Sequence, residues 1–286
     1  METIGKTTLW SFVDGKAKAQ QLTNTEIRTD RGHRVTSFFD LATKVAELQF
    51  RNRDVVLLYR GQRGDHHNRY GGTSLKPSLF RPGANPKQNP PVALLEQRFQ
   101  QLQQAEKLLA NRYKDEKLLG VERLNRHQIL RWSILQHYEV CPTPLLDVTH
   151  SLRIAASFAS LDAGREAFLF VLGVPNLSGA ITASAEAGLQ IVRLSSVCPP
   201  AAVRPHIQEG YLVGEYPELS GIDRKQHYQH FEIDLGRRLV AKFRLSPKRF
   251  WRGRTFPQVG RDALYPAASQ DRLFRLALEV KKRLKV

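Results

Sequence analysis

The segment that decides the fold, residues 136–149, reads QHYEVCPTPLLDVT. It starts at the end of a predicted helix over about residues 125–138, whose apolar residues recur at helical spacing. Pro142 and Pro144 then stop the helix, because the residue before a proline is disfavoured in the helical conformation. The segment leads into a second predicted helix over residues 152–161, rich in alanine and capped by Ser151. A helix, a proline loop and a close-packing helix therefore follow one another here.

Outward from this segment, strands and helices alternate without a regular order. Residues 55–59 predict a buried central strand that ends in Arg60, and Ser37 begins a helix that ends near Phe50. Residues 61–91 predict a long loop, and loops of that length are commonly functional. The remaining predicted elements are strands in residues 1–35, at 167–172, 189–194, 210–213 and 239–245, and helices from residue 92, near 247–254 and near 269–284. This mixed order indicates an α+β protein.

Composition narrows the class of protein. The 286 residues include 44 Lys+Arg and 27 Asp+Glu, a net charge of +17, and 41% are hydrophobic, which is typical of a globular chain. No run approaches the roughly 18 apolar residues of a membrane-spanning helix, and residues 1–20 lack the pattern of a secretory signal. Cys141 and Cys198 are too few for a disulfide scaffold. We therefore expect a cytoplasmic protein with no membrane partner.

The positive charge is concentrated near the C-terminal end. Residues 237–286 contain 15 Lys+Arg and 3 Asp+Glu, a net +12. Such an asymmetry indicates a polyanion partner, most simply DNA or RNA. The candidate nucleic-acid contacts are an indole among four cations, Lys248, Arg249, Trp251, Arg252 and Arg254, which suits phosphate binding and base stacking. The alternative is a solvated face whose aromatic residues, Phe250 and Trp251, belong to the core.

Several familiar chemistries find no support in the sequence. The chain has no HExxH or CxxC motif, so no metal site is predicted. It also lacks the GxxxxGK[ST] loop of nucleotide hydrolases and the GxSxG elbow of serine hydrolases. Cys141 has no basic helper nearby in sequence, which favours a buried structural thiol.

What remains is a set of polar residues at the edges of apolar elements. Arg60 ends an otherwise buried strand and needs a carboxylate or a phosphate as partner. His137 ends a helix, and Asp147 and Thr149 immediately precede Ser151. Each also has a structural interpretation: Arg60 in a buried salt bridge to Asp147, His137 as a satisfied core histidine, and Asp147 as a helix cap.

Together, these segments resemble the FRG domain family, which is named for a Phe/Tyr-Arg-Gly motif. The similarity runs in order from about Ser37 to Val213. Its long central motif, QHYG-x-PTRLLDWT, is similar to residues 136–149, which have one residue more between the tyrosine and the proline. The shorter matches are Tyr59-Arg60-Gly61-Gln62, Pro77-Ser78-Leu79-Phe80-Arg81, the set Thr149, Ser151, Ala155, Phe158 and Ala159, and the set Arg204, Gln208, Gly210 and Tyr211. Three positions depart from the family pattern: Glu139 replaces Gly, Pro144 replaces Arg and Val148 replaces Trp. The change at Pro144 puts in doubt any anion contact made there.

The resemblance implies a fold and a chemistry. The FRG family is thought to be related to the ADP-ribosyltransferases, which implies one domain with a mixed or antiparallel split sheet flanked by helices, and NAD as substrate. In that superfamily an early Arg or His holds the dinucleotide, a Ser/Thr turn shapes the nicotinamide pocket and a late Glu or Gln contacts the ribose. The residues implied as catalytic are Arg60, His137, Gln208 and Glu209. Those implied as NAD-binding are Tyr59, Arg60, Gly61, Gln62, Asp147, Thr149 and Ser151.

The late polar position has two candidates. Cleavage of the nicotinamide–ribose bond develops positive charge on the ribose, which a carboxylate or an amide stabilises. If residues 208–209 are extended, their side chains point to opposite faces and only one enters the cleft. Gln208 fits the family position, whereas Glu209 offers the charge.

Two function classes follow. The first is an NAD-dependent ADP-ribosyltransferase or NAD glycohydrolase, for instance a toxin or phage-defence effector acting on a nucleic acid or protein. The second is a noncatalytic nucleic-acid-binding or interaction protein that keeps the fold. The expected organisation is an N-terminal strand extension (1–36), the FRG domain (37–245) and a basic helical segment packed on it (246–286).

Overall fold

The computed structural model describes residues 8–83, 89–215, 233–253 and 255–284. Its helices are α1 (Asn24–Thr29), α2 (Phe38–Arg51), α3 (Val92–Asp115), α4 (Val121–Arg126), α5 (Gln128–His137), α6 (Leu152–Ser160), α7 (Leu194–Val197), α8 (Val203–Ile207), α9 (Pro247–Phe250), α10 (Arg261–Leu264) and α11 (Arg272–Arg283). Its strands are β1 (Leu9–Ser11), β2 (Gln20–Leu22), β3 (His33–Val35), β4 (Val56–Gln62), β5 (Leu146–Thr149), β6 (Ala167–Val174), β7 (Ile181–Ser184), β8 (Leu189–Arg193), β9 (Gly210–Glu215) and β10 (Leu239–Leu245).

Eight of these strands form one mixed sheet in the order β3-β10-β6-β4-β5-β9-β8-β7. The β3–β10 pair is parallel, and the other neighbouring pairs are antiparallel. Strands β1 and β2 form a separate antiparallel pair. The predicted α+β class is confirmed.

The sheet opens between β4 and β5. Strand β4 pairs with β6 along its whole length, from Val56 to Gln62. It pairs with β5 at a single position, where Tyr59 lies opposite Thr149. Beyond that position the two strands separate, and a split forms in the middle of the sheet.

Two apolar clusters hold the helices on the sheet. One joins β4, β6 and β10 to α2 and α6. The other joins α3, α5 and α11 to β8 and β9. Helix α6 approaches β4 closely because its buried face carries alanines, among them Ala155, Ala156 and Ala159, which are 0% exposed. Small side chains leave room for backbone to approach backbone, and this brings the start of α6 to the split.

The sequence predicted the capped helices well. The Ser37 hydroxyl accepts a hydrogen bond from the Asp40 N–H at 3.1 Å and begins α2, and Ser151 caps α6. Helix α1 was missed inside the predicted N-terminal strands, although Thr23 and Glu26 form a capping box. The structure also places β3, from that predicted extension, at the edge of the main sheet.

Two predicted boundaries were wrong. Strand β4 continues beyond Arg60 to Gln62, because Gly61 and Gln62 pair with β6 instead of starting the loop. The predicted helix over 247–254 is only α9, which ends at Phe250. Trp251 follows the helix and stacks against Phe38.

The last part of the chain lies against the rest. Helix α11 packs on α3, and its N-cap Asp271 accepts a hydrogen bond from the Tyr138 hydroxyl at 2.9 Å. None of the helices in the described ranges is both long and apolar enough to cross a membrane.

Candidate active site

A polar cleft of about 680 Å³ lies at the split between β4 and β5. Its walls come from the end of β4, the end of α5, β5, α6 and α8, so the cleft gathers segments that are far apart in sequence. The predicted site residues that line it are Tyr59, Arg60, Gly61, Gln62, His137, Asp147, Thr149 and Gln208. Ser151 and Glu209 do not line it.

Arg60 is half-buried on β4 and faces β5 across the split. Its Nη1 donates a hydrogen bond to the backbone carbonyl of Asp147 at 2.5 Å. The sequence allowed a salt bridge to the Asp147 side chain; the hydrogen bond that forms goes to the backbone instead. Burial lowers the pKa of Arg60 to about 10, against the opposing effect of the Asp147 charge. The guanidinium therefore stays charged at neutral pH, and its buried Nε–H has no partner.

His137 and Asp147 form a pair on the opposite wall. The His137 Nδ1 lies 3.4 Å from Asp147 Oδ1, and the histidine is 3% exposed. Burial lowers the pKa of His137, and the nearby Arg204 acts in the same direction, against the hydrogen bond and charge of Asp147. Burial raises the pKa of Asp147, but the interaction with His137 and the charge of Arg60 outweigh it, so that this pKa is lowered.

Gln136 connects this pair to the loop after β4. Its Nε2 donates to Asp147 Oδ2 at 2.7 Å. Its Oε1 accepts hydrogen bonds from the Thr143 hydroxyl at 2.6 Å and from the Ser78 hydroxyl at 3.2 Å. Gln136 was not among the predicted site residues, although it is the first residue of the central motif.

Thr149 and Ser151 shape the turn between β5 and α6. The Thr149 hydroxyl donates to the backbone carbonyl of Gln208 at 2.8 Å and accepts from the Ser151 N–H at 3.0 Å. The Ser151 hydroxyl caps α6 by accepting from the Ile154 N–H. Both hydroxyl groups thus form hydrogen bonds with the backbone, and these bonds hold the turn in place beside the cleft.

Residues 208–209 are not extended, so the expectation from opposite strand faces does not apply to them. Gln208 is the C-terminal cap of α8, and Glu209 has φ +44° in the left-handed region. The helix was missed because residues 203–207 span little more than one turn and carry a proline. The buried Gln208 lines the cleft and donates through Nε2 to the carbonyl of Leu264 at 2.6 Å, whereas Glu209 is exposed outside it.

Arg204 is a cleft residue that the sequence analysis quoted for the family resemblance but did not place in the site. It is 7% exposed, its guanidinium lies 4.7 Å from the centre of the Tyr265 ring, and its Nη2 donates to Glu139 Oε1 at 3.1 Å. Glu139 also lines the cleft. Its φ of +54° explains why the family pattern has glycine there, since the left-handed region suits glycine.

The two other departures from the family pattern lie differently. Val148 is buried, pairs with Tyr211 of β9 and lines the cleft. Pro144 is buried and does not line the cleft.

Buried polar atoms without a hydrogen-bond partner concentrate at the cleft. Among the described residues, the buried side-chain atoms without a partner include Arg60 Nε, Gln62 Oε1, His137 Nε2 and Arg204 Nε, all on lining residues. Buried polar groups are nearly always hydrogen-bonded in folded proteins. A cluster of unpaired groups on one concave surface therefore indicates a place that a polar ligand fills.

The loop after β4 is fixed to the sheet beside the cleft. Lys242 of β10 is 1% exposed and donates to Asp65 Oδ2 at 2.6 Å and to the Thr73 hydroxyl at 2.8 Å. The buried Asp234 accepts from the Leu75 N–H at 2.7 Å and pairs with Arg28. These contacts order the described part of the loop.

The cations predicted to contact nucleic acid lie around α9 where the structure describes them. Lys248, Arg249 and Arg252 are exposed around α9, and Arg254 lies outside the described residues. The indole of Trp251 stacks on Phe38 and donates to the Ser160 hydroxyl at 2.8 Å, as in the alternative that places it in the core. Nucleic-acid binding by the three exposed cations stays a prediction.

The cysteines are both buried, and burial raises the pKa of each thiol to about 12. Within the ranges that the structure describes, no three His, Cys, Asp or Glu side chains gather into a group able to hold a metal ion.

Fold and site thus define an α+β protein with a polar, arginine-lined cleft at a split in its sheet. Residues 56–167 match the family model of the FRG domain. The chain therefore carries an FRG domain, and this segment contains Arg60, His137, Asp147 and the Thr149–Ser151 turn. No curated protein and no solved structure matches the chain.

Proposed function

We propose that the chain binds NAD in the cleft and cleaves its nicotinamide–ribose bond, transferring ADP-ribose to an acceptor or to water. The observation that carries this proposal is a pair of arginines, Arg60 and Arg204, whose Nε–H donors are buried without a partner and which line one concave surface. Guanidinium groups bind phosphate oxygens with charge-assisted hydrogen bonds. A diphosphate supplies the acceptors that both groups lack.

The rest of the cleft supports a dinucleotide with a reactive ribose. Its volume of about 680 Å³ lies within the roughly 300–1,000 Å³ of ligand pockets. The fixed Thr149–Ser151 turn gives a rigid wall for a planar leaving group. Gln208 and Glu139 line the cleft as an amide and a carboxylate for a ribose that becomes positively charged.

The test is release of nicotinamide from NAD, followed by chromatography with the full chain, in the presence and absence of DNA, RNA and cell extract. Arg60→Ala removes charge-assisted hydrogen bonds worth about 1.5–3 kcal/mol, so we expect kcat/KM to fall about 10- to 100-fold. Arg60→Lys keeps the charge without the planar fork and should restore only part of the loss.

The matched control is Arg53→Ala, which removes an exposed arginine outside the cleft and should leave the rate unchanged. Wild-type protein that binds NAD without releasing nicotinamide under any of these conditions would support the noncatalytic alternative. Full activity in Arg60→Ala would show that the chain is an enzyme whose active site does not depend on Arg60.

A further inference from the structure

The network behind the cleft fixes one orientation of the Gln136 amide. Two hydroxyl groups, from Thr143 and Ser78, donate to Gln136 Oε1. The amide nitrogen faces Asp147, because an ionised carboxylate only accepts hydrogen bonds, and it donates to Oδ2 at 2.7 Å. One oxygen of the Asp147 carboxylate is thereby occupied, and the other is left facing His137 Nδ1 at 3.4 Å.

This arrangement selects one tautomer of His137. An ionised carboxylate only accepts hydrogen bonds, so the nitrogen that faces it carries the proton. The proton therefore lies on Nδ1, and Nε2 is left with a free lone pair. That nitrogen is buried without a partner on a residue that lines the cleft.

The surroundings keep this histidine uncharged. Burial and the charge of Arg204 lower the pKa of His137 more than Asp147 raises it. A neutral imidazole with an unpaired Nε2, oriented by a carboxylate, has the arrangement of a general base. No hydrogen bond in the described structure uses this lone pair.

We propose that His137, oriented by Asp147 and Gln136, is the general base that takes the proton from the acceptor, and that the acceptor is an uncharged hydroxyl group, water included. This proposal rests on the proposed NAD cleavage. A cationic acceptor such as a lysine ammonium would be repelled by Arg60 and Arg204, which line the same cleft.

Transfer to the acceptor breaks one bond and forms another. The bond between ribose C1′ and the nicotinamide nitrogen breaks, and its electron pair leaves with nicotinamide, which becomes neutral. A lone pair of the acceptor oxygen forms the new bond to C1′. The proton of that hydroxyl passes to His137 Nε2 and then to solvent.

The test uses a nucleophile that needs no base. His137→Ala should lower the nicotinamide release rate by about 100-fold or more, the usual contribution of a general base. Sodium azide carries no proton to remove, so it should restore release in His137→Ala and yield an azido-ADP-ribose adduct detectable by mass spectrometry. Azide should raise the rate of nicotinamide release by the wild-type protein only slightly.

Gln136 acts through Asp147 and is a positioning residue. Gln136→Ala should lower the rate less than His137→Ala, and azide should restore that loss too. Arg60→Ala is the control, because a loss of NAD binding is not repaired by azide. Circular dichroism verifies the fold of each variant, and His137→Gln replaces His137→Ala if the smaller side chain prevents folding.

Each outcome separates this proposal from the function on which it rests. If wild-type protein releases no nicotinamide, both fail. If it does and the His137 variants release it equally fast without azide, only the general base fails. A folded, inactive His137 variant that forms no azide adduct shows a structural histidine and also overturns the base.

Discussion

The Gly61→Ala substitution should destabilise the protein strongly, because the glycine of the Tyr59-Arg60-Gly61 motif is a packing position. A Cβ at residue 61 would lie 1.9 Å from the backbone oxygen of Ala155 and 2.5 Å from the backbone nitrogen of Ala159. Both atoms belong to the backbone of α6. No rotation of a side chain relieves such a contact.

The magnitude follows from the distance that α6 would have to move. Ordinary contacts of a Cβ begin near 3.4 Å, so the helix must retreat by about 1.5 Å. Inserting one methyl group into a packed interior costs about 1–3 kcal/mol, or more where the neighbours cannot yield. Helix α6 is capped by Ser151 and packed on both β4 and β6, so we expect about 3 kcal/mol.

The assay is unfolding by denaturant and by heat. At about 2–4 °C per kcal/mol for a chain of this size, Tm should fall by about 6–12 °C. Gly64→Ala is the matched control three residues later, just after β4, since nothing lies within 4 Å of its Cβ and its φ is outside the left-handed region. Gly64→Ala should leave the free energy of unfolding unchanged or raise it by up to about 1 kcal/mol, because alanine reduces the conformational freedom of the unfolded chain.

Gly214→Ala provides a comparison for the loss of stability expected in Gly61→Ala. Its Cβ would meet the Cδ2 of Leu145 at 2.5 Å, and the end of a leucine side chain can rotate away. We expect it to cost less than Gly61→Ala. A Gly61→Ala variant within about 0.5 kcal/mol of wild type, or one less affected than Gly214→Ala, would refute the packing role.

Two further predictions concern the titration of cleft residues and two glutamates with a positive φ. Because burial lowers the pKa of His137 below its ordinary 6.5, the unfolded chain binds the proton first as pH falls, so stability should decrease below pH 6.5. The lowered pKa of Asp147 adds a further loss only in acid, below pH 3.8. In urea titrations, His137→Gln should reduce the decrease in stability that begins below pH 6.5. An unchanged dependence of stability on pH would contradict the effect of burial on His137. Glu209→Gly should stabilise the fold by up to about 1.5 kcal/mol, because relief of the positive φ, about 1–2 kcal/mol, is partly offset by the greater freedom of the unfolded chain, about 0.5–1 kcal/mol. Glu139→Gly should gain less, because Arg204 loses its ion pair. Equal gains in calorimetry would show that the pair contributes nothing.

The sequence predicted the elements whose signals are local. Serine caps with a following apolar stripe located α2 and α6, because both the cap and the stripe lie within one helix. The central motif placed His137, Asp147 and Thr149 near one another, and the structure brings all three to the cleft. These residues are close in sequence, so their proximity could be predicted without knowing how distant segments pack.

The sequence could not predict the features that arise from the approach of distant segments. Gly61 looked like the end of a strand, whereas the reason for the glycine lies about a hundred residues later in α6. Arg204 joins the cleft because α8 packs against β9 and the Arg204 guanidinium reaches Glu139, which follows α5. Its partner Glu139 replaces the family glycine, and a positive φ is not visible in a residue name.

Net charge is the clearest case in which the folded chain changes what the sequence indicated. The C-terminal excess of +12 indicated a basic surface, yet Lys242 and Arg244 are buried and paired with acidic residues from the first two-thirds of the chain. Arg261 and Arg272 also pair with carboxylates outside that segment. Part of the excess thus holds the segment to the rest of the protein. Two guanidinium groups with buried, unpaired Nε–H donors, those of Arg60 and Arg204, lie on one cavity. A ligand that supplies a diphosphate to those groups would satisfy them, and the neutral His137 beside them would accept the proton that such chemistry releases.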